Sequence, residues 1–272
     1  MAETVLTTGA NSGIGLSCVL EIATRGYRSV GSVRSESKAD DVQKAAAEAG
    51  VRVETVLLDV TDAARCEEVV DELGPLFGIV NNAGYGVTGA VEDVPDAEAR
   101  AVLETMVLAP MRLARLALPA MRERRTGRIV NVSSIMGRTT TPLTGWYQAS
   151  KHALEAVSDA LRIEVAGDGI KVVLVEPGGF KTGIWQELER DIAKRADSRF
   201  LNAYRRSQQM MKLAEPMMGN PNQVAKVVGS VLSSRTPRAR YLVGVDANLL
   251  ALTDRFTPTM LKDRVTRLGL GI

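Results

Sequence analysis

Residues 8–15 read TGANSGIG, and this glycine-rich stretch decides how the rest of the chain is interpreted. It follows a short β-branched run, Thr4–Thr8, and opens an amphipathic stretch, Ile14–Arg25. Glycines let a turn tighten and let a pyrophosphate approach the backbone, while the helix that follows presents free N–H groups and the positive end of its dipole. A glycine-rich turn alone is a weak indication. Its place between the first strand and the first helix of the chain predicts a dinucleotide site.

Strand-like and helix-like segments alternate from this turn onward. The predicted strands are Thr4–Thr8, Arg28–Val33, Val51–Leu58, Phe77–Asn81, Arg128–Ser133, Lys171–Glu176 and Arg240–Val245. The predicted helices are Ile14–Arg25, Lys38–Ala49, Asp62–Leu73, Ala97–Arg124, Trp146–Val165 and Asn222–Ser233. This alternation favours an α/β fold, a Rossmann-type doubly wound parallel sheet with helices on both faces. The later strands are short apolar runs, as expected of a sheet that is buried on both sides.

Two regions depart from the alternation, but neither requires a second domain. Residues 182–221 are charged, rich in methionine and helical in composition, which predicts a helical substrate flap. Its methionines either line an adaptable apolar pocket or pack the flap against the domain. Residues 246–272 form an extension with apolar positions at helical spacing. We therefore expect residues 1–272 to form a single domain.

Composition excludes several classes of protein. Hydrophobic residues at 45% and charged residues at 24% are typical of a globular enzyme, not of a disordered chain. A net charge of +2 with intermixed signs argues against a nucleic-acid partner. Cys18 and Cys66 show no disulfide or metal-ligand spacing, so no metal is predicted. No apolar run approaches the roughly 18 residues of a membrane span, and no signal peptide is recognisable, so we expect a cytoplasmic protein.

Three side chains form a candidate catalytic group. Tyr147 and Lys151 stand four residues apart near the start of a predicted helix, so they lie on one helical face. A neighbouring cation favours the phenolate form of tyrosine, which makes the phenol a usable general acid or base. Ser134 ends the fifth strand, where its hydroxyl can hold the oxygen of a substrate.

The end of the second predicted strand indicates which cofactor is bound. A carboxylate that binds the ribose 2′-hydroxyl of NAD is expected about 20 residues past the glycines. Arg34 stands there instead, and with Ser12 it can bind a 2′-phosphate. The sequence therefore favours NADP(H) over NAD(H). The alternative is that Arg34 is a solvated loop residue.

With these motifs, the chain resembles the short-chain dehydrogenase/reductases along nearly its whole length. The resemblance rests on TGANSGIG at 8–15, NNAG at 81–84, VNVSS at 130–134, YQASK at 147–151 and EPG at 176–178. It implies hydride transfer at the nicotinamide, Lys151 bonded to the nicotinamide ribose and Thr182 on the carboxamide. It also implies a homodimer or homotetramer. The implied cofactor-binding set is Gly9, Asn11, Ser12, Gly13, Ile14, Gly15, Arg34, Asp59, Val60, Asn82, Ala83, Gly84, Val132, Tyr147, Lys151, Pro177, Gly178 and Thr182.

Two positions carry alternatives. Asp59 resembles the family's adenine-contacting acid, but it also suits a helix N-cap. Met106 stands where the family usually has an asparagine that helps hold a water linking the lysine to solvent. A methionine side chain cannot hold a water in a proton relay, although its backbone carbonyl still could. We expect either that this carbonyl anchors a water near Lys151, or that the side chain fills the space and the lysine reaches solvent by another polar route. The alternative to an enzyme is a catalytically weak NADP(H)-binding regulator.

The substrate is indicated only by the branch of the family. Residues 81–95 and the C-terminal extension look like the 17β-hydroxysteroid and retinol dehydrogenases, which implies a small hydrophobic alcohol or carbonyl compound. A ketoacyl reductase linked to an acyl carrier protein shares the same chemistry. It would favour a basic docking patch near the pocket.

Overall fold

The fold is built on one seven-stranded parallel sheet. The computed structural model describes residues 2–181 and 184–272, with the side chains of all of these except 184–187 and 255. The strands are β1 (Thr4–Thr7), β2 (Arg28–Val33), β3 (Val53–Leu57), β4 (Gly78–Asn81), β5 (Gly127–Val132), β6 (Ile170–Pro177) and β7 (Arg240–Val243). Their order is β3-β2-β1-β4-β5-β6-β7. The strand order reverses between β1 and β4, and ligands of doubly wound folds bind outside the carboxyl ends at that point.

Helices cover both faces of the sheet, which confirms the predicted fold class. They are α1 (Gly13–Thr24), α2 (Glu36–Glu48), α3 (Ala63–Leu73), α4 (Asp96–Leu103), α5 (Ala109–Glu123), α6 (Gly145–Glu164), α7 (Ile184–Lys194), α8 (Leu201–Ala214), α9 (Pro221–Ser233), α10 (Val245–Phe256) and α11 (Thr259–Leu270). Adjacent residues of β1 point to opposite faces: Leu6 packs in the core under α3 and α5, and Val5 in the core under α1 and α9. Burial on both faces explains the continuous apolar runs of the central strands.

The predicted helix Ala97–Arg124 is interrupted at its centre. A π-helical turn, Glu104–Leu108, separates α4 from α5, and the Ala109 N–H bonds the Glu104 carbonyl five residues back. Pro110 has no N–H to donate to the carbonyl of Met106, four residues earlier. The prediction of one regular helix is therefore wrong, because the π-turn interrupts it at Met106. Such π-turns often mark functional sites.

The region predicted to be a helical flap contains α7 and α8, which are anchored to the loop that follows β4. The Thr88 N–H donates to Asp191 Oδ2 at 2.8 Å, and the Ala90 N–H donates to the Tyr204 hydroxyl at 2.6 Å. The same hydroxyl donates to Asp93 Oδ2 at 2.6 Å, and burial with this bond raises the pKa of Tyr204 to about 12. The base of the flap is therefore fixed to the domain.

The C-terminal extension forms α10 and α11. Both expose large apolar side chains: Val245, Leu249, Phe256, Val265 and Leu268. Among the helices that the structure describes, none has the length and apolar character needed to cross a membrane. The division of the chain into a single domain with a substrate loop and an extension stays a prediction.

Candidate active site

The glycine-rich turn has the shape of a phosphate cradle. Gly9 and Gly13 have φ of +67° and +52°, which favours glycine at both positions. A Cβ on Gly15 would stand 2.1 Å from the Gly9 carbonyl oxygen. Ser12 is the N-cap of α1, yet its exposed side chain makes no capping bond. The first N–H groups of α1 and the Ser12 hydroxyl therefore suit a pyrophosphate, and the residues present fit a dinucleotide.

The loop after β4 is locked to this turn by Thr8. The Thr8 hydroxyl accepts bonds from the backbone N–H groups of Asn82 at 3.0 Å and Ala83 at 2.9 Å. The Asn82 amide in turn donates to the carbonyls of Thr8 at 2.9 Å and Gly9 at 3.2 Å. Thr8 was not among the predicted site residues. A hydroxyl residue just after the first strand is the signal that points to it.

Arg34 and Asp59 lie after the neighbouring strands β2 and β3. Arg34 is exposed, and its guanidinium has no hydrogen bond or ion pair within the described part of the chain. The Asp59 carboxylate accepts bonds from the N–H and hydroxyl of Thr61 at 3.0 and 2.7 Å. These bonds lower the pKa of Asp59, with a smaller contribution from the charge of Arg34. The interpretation of Asp59 as the cap of α3 is wrong, because Asp62 caps that helix by accepting from the Arg65 N–H at 3.0 Å.

Lys151 is buried beside Tyr147 on α6. Its Nζ donates to the Val132 carbonyl at 2.9 Å and lies 5.8 Å from the centroid of the Tyr147 ring. Burial lowers the pKa of Lys151 to about 8, against the opposing effect of the Glu155 carboxylate. The predicted pair therefore meets at the carboxyl edge of β5, with an amine that exchanges protons near neutral pH.

Ser134 lies at the same edge, two residues after Val132. Its hydroxyl accepts from the Met136 N–H at 3.1 Å and points to the carbonyl of Pro177, at the end of β6, at 3.5 Å. This places a hydroxyl, a phenol and an ammonium where β5 and β6 end. Such a group can hold an oxygen and exchange a proton with it.

Met106 occupies the space between the loop after β4 and α6. Its side chain is 1% exposed, and its Sδ lies 4.0 Å from the Ser150 hydroxyl. A Cβ on Gly84 would stand 3.0 Å from the same sulfur. The thioether therefore packs as an apolar group between Gly84 and Ser150, and the two arrangements expected around Met106 stay predictions.

The loop after β6 is held by the extension. The Gly179 N–H donates to Asp246 Oδ2 at 2.5 Å, and a Cβ on Gly178 would stand 2.2 Å from that oxygen. Asp246, at the start of α10, was not predicted, because it is 67 residues from its partner. Thr182, predicted to contact the carboxamide, lies outside the described residues.

The described part of the chain has no cluster of three or more metal-ligating His, Cys, Asp or Glu side chains. Cys18 and Cys66 are buried and unpaired, and burial raises the pKa of the Cys18 thiol to about 12. The thiols are therefore poor nucleophiles.

Comparison with known proteins agrees with this geometry. A family model described as short chain dehydrogenase matches residues 3–193. Human retinol dehydrogenase 5 is 34% identical over 96% of this chain and 86% of its own. The uncharacterized oxidoreductase YbbO of Escherichia coli K12 is 32% identical over 97% of this chain and 94% of its own. Among solved structures, a short-chain dehydrogenase from Streptomyces avermitilis matches with a TM-score of 0.79, 30% identity and 98% coverage of both chains. An actinorhodin polyketide ketoreductase variant with NADPH matches with a TM-score of 0.77 and 29% identity, over 91% of this chain and 97% of its own.

Proposed function

The chain belongs to the short-chain dehydrogenase family, and from this premise we propose that it is an NADP(H)-dependent oxidoreductase that interconverts a hydrophobic alcohol and its ketone or aldehyde. The observation that carries the proposal is the buried Lys151 ammonium beside the Tyr147 ring, at the carboxyl edge of the sheet. A buried amine in contact with a phenol is expected where a proton is transferred.

The roles follow from the chemistry of the three side chains. Tyr147 gives its phenolic proton to the carbonyl oxygen in reduction and takes it back from the alcohol in oxidation. Lys151 stabilises the phenolate by its charge, and Ser134 holds the substrate oxygen. The cofactor, when bound, supplies or accepts the hydride.

The preference for NADP(H) rests on Arg34. Its free guanidinium follows β2, where a carboxylate would favour NAD(H), and it suits a 2′-phosphate. The relatives support this assignment: the actinorhodin ketoreductase structure contains NADPH, and a structure of ElxO at 25% identity and a TM-score of 0.75 contains NADP.

The substrate proposed is a steroid-, retinoid- or ketoacyl-like compound. Retinol dehydrogenases are among the relatives, and Met218 of the flap lies beside Gly179, in the loop after β6. We place the protein in the cytoplasm as a homodimer or homotetramer. The exposed apolar side chains of α10 and α11 support burial against a second copy.

A second candidate function is that of a catalytically weak NADP(H)-binding regulator. The observation that favours it is Met106, whose buried thioether packs against Ser150 and Gly84 at the position where the family usually has an asparagine. The presence of Ser134, Tyr147 and Lys151 together favours the enzyme, because a protein that only binds the cofactor has no need of all three.

The test is NADPH consumption against steroids, retinoids, quinones and ketoacyl thioesters, with Tyr147→Phe as the matched variant. The enzyme hypothesis expects turnover with at least one carbonyl. It also expects Tyr147→Phe to abolish turnover and leave NADPH affinity nearly unchanged, because only the proton donor is removed. Turnover retained in Tyr147→Phe would contradict the role of the phenol. NADPH binding without reduction of any carbonyl would favour the regulator.

A further inference from the structure

A cluster of buried oxygens lies one helical turn from Lys151. We call it the carboxyl cluster, and its members are Ser133, Glu155 and Glu176. Glu155 follows Lys151 by four residues on α6, and Glu176 is the last residue but one of β6. All three are less than one-tenth exposed, and Glu176 is fully buried. None of the three belongs to the candidate catalytic group of Ser134, Tyr147 and Lys151.

The two carboxylates share arginine partners. Glu155 Oε2 lies 3.1 Å from the Nε of Arg240, and Glu176 Oε1 lies 3.2 Å from the same atom. Arg138, in the turn after β5, binds Glu176 as well. Its Nε lies 2.7 Å from Glu176 Oε2, and its Nη2 lies 3.1 Å from Glu176 Oε1. Two acids that meet one guanidinium nitrogen repel each other, which favours a proton bound between them.

Ser133 is the sequence neighbour of the residue that binds the lysine. It follows Val132, whose carbonyl binds Lys151 Nζ at 2.9 Å. A Cβ on Gly137 would stand 2.9 Å from the Ser133 hydroxyl and 3.0 Å from Glu155 Cγ. The hydroxyl and the glutamate therefore both pack closely against Gly137, where a larger side chain would not fit.

Within the described residues, three oxygens of the cluster are buried without a hydrogen-bond partner: the Ser133 hydroxyl, Glu155 Oε1 and Glu176 Oε2. Glu176 Oε2 lies 2.7 Å from Arg138 Nε in an ion pair, which leaves the Ser133 hydroxyl and Glu155 Oε1. Buried polar groups normally have partners, so these two atoms call for an explanation. Both can take part in a chain of proton transfers, whereas the Met106 thioether cannot.

The cluster also reaches the surface. The side chain of Arg138 is 39% exposed, and that of Asp159, which bonds the outer end of Arg240, is 35% exposed. Protons can therefore enter and leave beside Arg138 and Arg240 without passing Met106.

We propose that Ser133, Glu155 and Glu176 carry protons between Lys151 and solvent, by a route that does not pass Met106. The inference rests on the proposed function. In carbonyl reduction, Tyr147 loses its proton to the substrate oxygen and regains one from the Lys151 ammonium. The neutral amine takes a proton from the carboxyl pair, and the pair regains one from solvent. One proton is thus consumed for each hydride transferred, and the three residues act through Lys151 without touching the substrate.

The pKa values of Glu176 and Lys151 are shifted towards each other. Burial and the charge of Glu155 raise the pKa of Glu176 to about 7, against the opposing effects of Arg138 and Arg240. Burial lowers the pKa of Lys151 to about 8. The groups that face the pair from α6, the turn after β5 and β7 are Lys151, Asp159, Arg138 and Arg240. The two shifts bring the carboxylic acid and the ammonium closer in acidity, which favours proton transfer between them.

The test compares the full-length wild-type protein with Glu155→Gln, Glu176→Gln and Ser133→Ala. The measurements are kcat for carbonyl reduction in H₂O and D₂O from pH 6 to pH 9, and the isotope effect of 4-deuterated NADPH. We expect kcat to fall at least about tenfold in both glutamine variants, with a larger solvent isotope effect and a smaller hydride isotope effect, because proton supply becomes limiting. Ser133→Ala removes a hydroxyl without a partner, so it tests the route even if a glutamine variant does not fold. Its kcat should fall about threefold, with the same change in isotope effects.

Glu164→Gln is the control, since it removes an exposed carboxylate at the far end of α6; its kcat and isotope effects should match the wild type. Folded variants with wild-type kcat and isotope effects would overturn the proposal. So would a lower kcat with an unchanged solvent isotope effect, which a purely structural role predicts. Wild-type protein that reduces no carbonyl would overturn the proposed function first, and that result does not depend on the variants.

Discussion

Replacing Lys151 by methionine tests the electrostatic basis of the site without any substrate. The pKa of Lys151 is lowered from its ordinary 10.5 to about 8, mainly because the side chain is buried. Between these values the unfolded chain binds more protons than the folded one, so the free energy of unfolding rises with pH. The cost of the buried charge is fully present below about pH 8 and disappears as the pH passes the unfolded value.

The magnitude follows from the two pKa values. Each unit corresponds to about 1.4 kcal/mol, so the full cost is about 3 kcal/mol, of which about 2 kcal/mol is relieved between pH 8 and pH 10. Lys151→Met keeps nearly the same volume and has no charge to bury. The variant should therefore be more stable than the wild type at pH 8, and this margin should shrink by about 2 kcal/mol at pH 10.

Urea unfolding of both proteins at half-unit steps of pH, without cofactor, measures the margin. Taking the difference cancels the titration of Cys18 and Tyr204, which is common to both proteins. Lys44→Met removes an exposed lysine of α2 and is the matched control, with a margin expected to stay level. A margin for Lys151→Met that is equally level from pH 8 to pH 10 would refute the assignment of a buried, destabilised ammonium.

Three further substitutions probe the cofactor site and the π-turn. Arg34→Asp should shift the ratio of kcat/KM for NADPH over NADH by about 10- to 100-fold towards NADH, the value of a lost charged hydrogen bond; an unchanged ratio would show that the 2′-phosphate is bound elsewhere. Gly15→Ala places a Cβ 2.1 Å from the Gly9 carbonyl, so it should cost about 1–3 kcal/mol in urea unfolding and weaken NADPH binding in a fluorescence titration. Gly167→Ala, with nothing within 4 Å, should do neither, and equal effects of the two would contradict the cradle. Met106→Asn should raise kcat if proton exchange limits the rate, while burial of its amide lowers the free energy of unfolding by about 1–3 kcal/mol. If the wild-type enzyme shows no solvent isotope effect and the variant gains no kcat, residue 106 does not limit proton transfer.

The sheet and its order of elements could be predicted from the sequence because their causes are local. A β-branched apolar run predicts a strand, and a turn with glycines at 9, 13 and 15 has few other conformations open to it. The spacing of Tyr147 and Lys151 placed both on one helical face, and the structure has them there. The break at Met106 has a local cause as well, since Pro110 removes the N–H that a regular helix needs.

Contacts between distant segments could not be predicted in the same way. Thr8 binds a loop 74 residues away, and Asp246 accepts from the Gly179 N–H across a separation of 67 residues. Neither threonine nor aspartate at those positions has a local pattern that names its partner. The pairing of β1 with β4 brings Thr8 to its loop, and the pairing of β6 with β7 brings Asp246 to Gly179.

The lowered pKa of Lys151 also depends on contacts between distant segments, so it could not be predicted from the sequence. Four-residue spacing places the amine beside the phenol, but its burial depends on the carbonyl of Val132 at the end of β5. A thioether such as that of Met106 offers an ammonium no hydrogen-bond acceptor of useful strength. The Glu155 carboxylate opposes the effect of burial and raises the pKa of Lys151. A carboxylate placed for that purpose also lies where a proton can be taken up. The Glu155 carboxylate therefore acts on Lys151 through its charge, and the proposed proton route assigns it a second role beside that one.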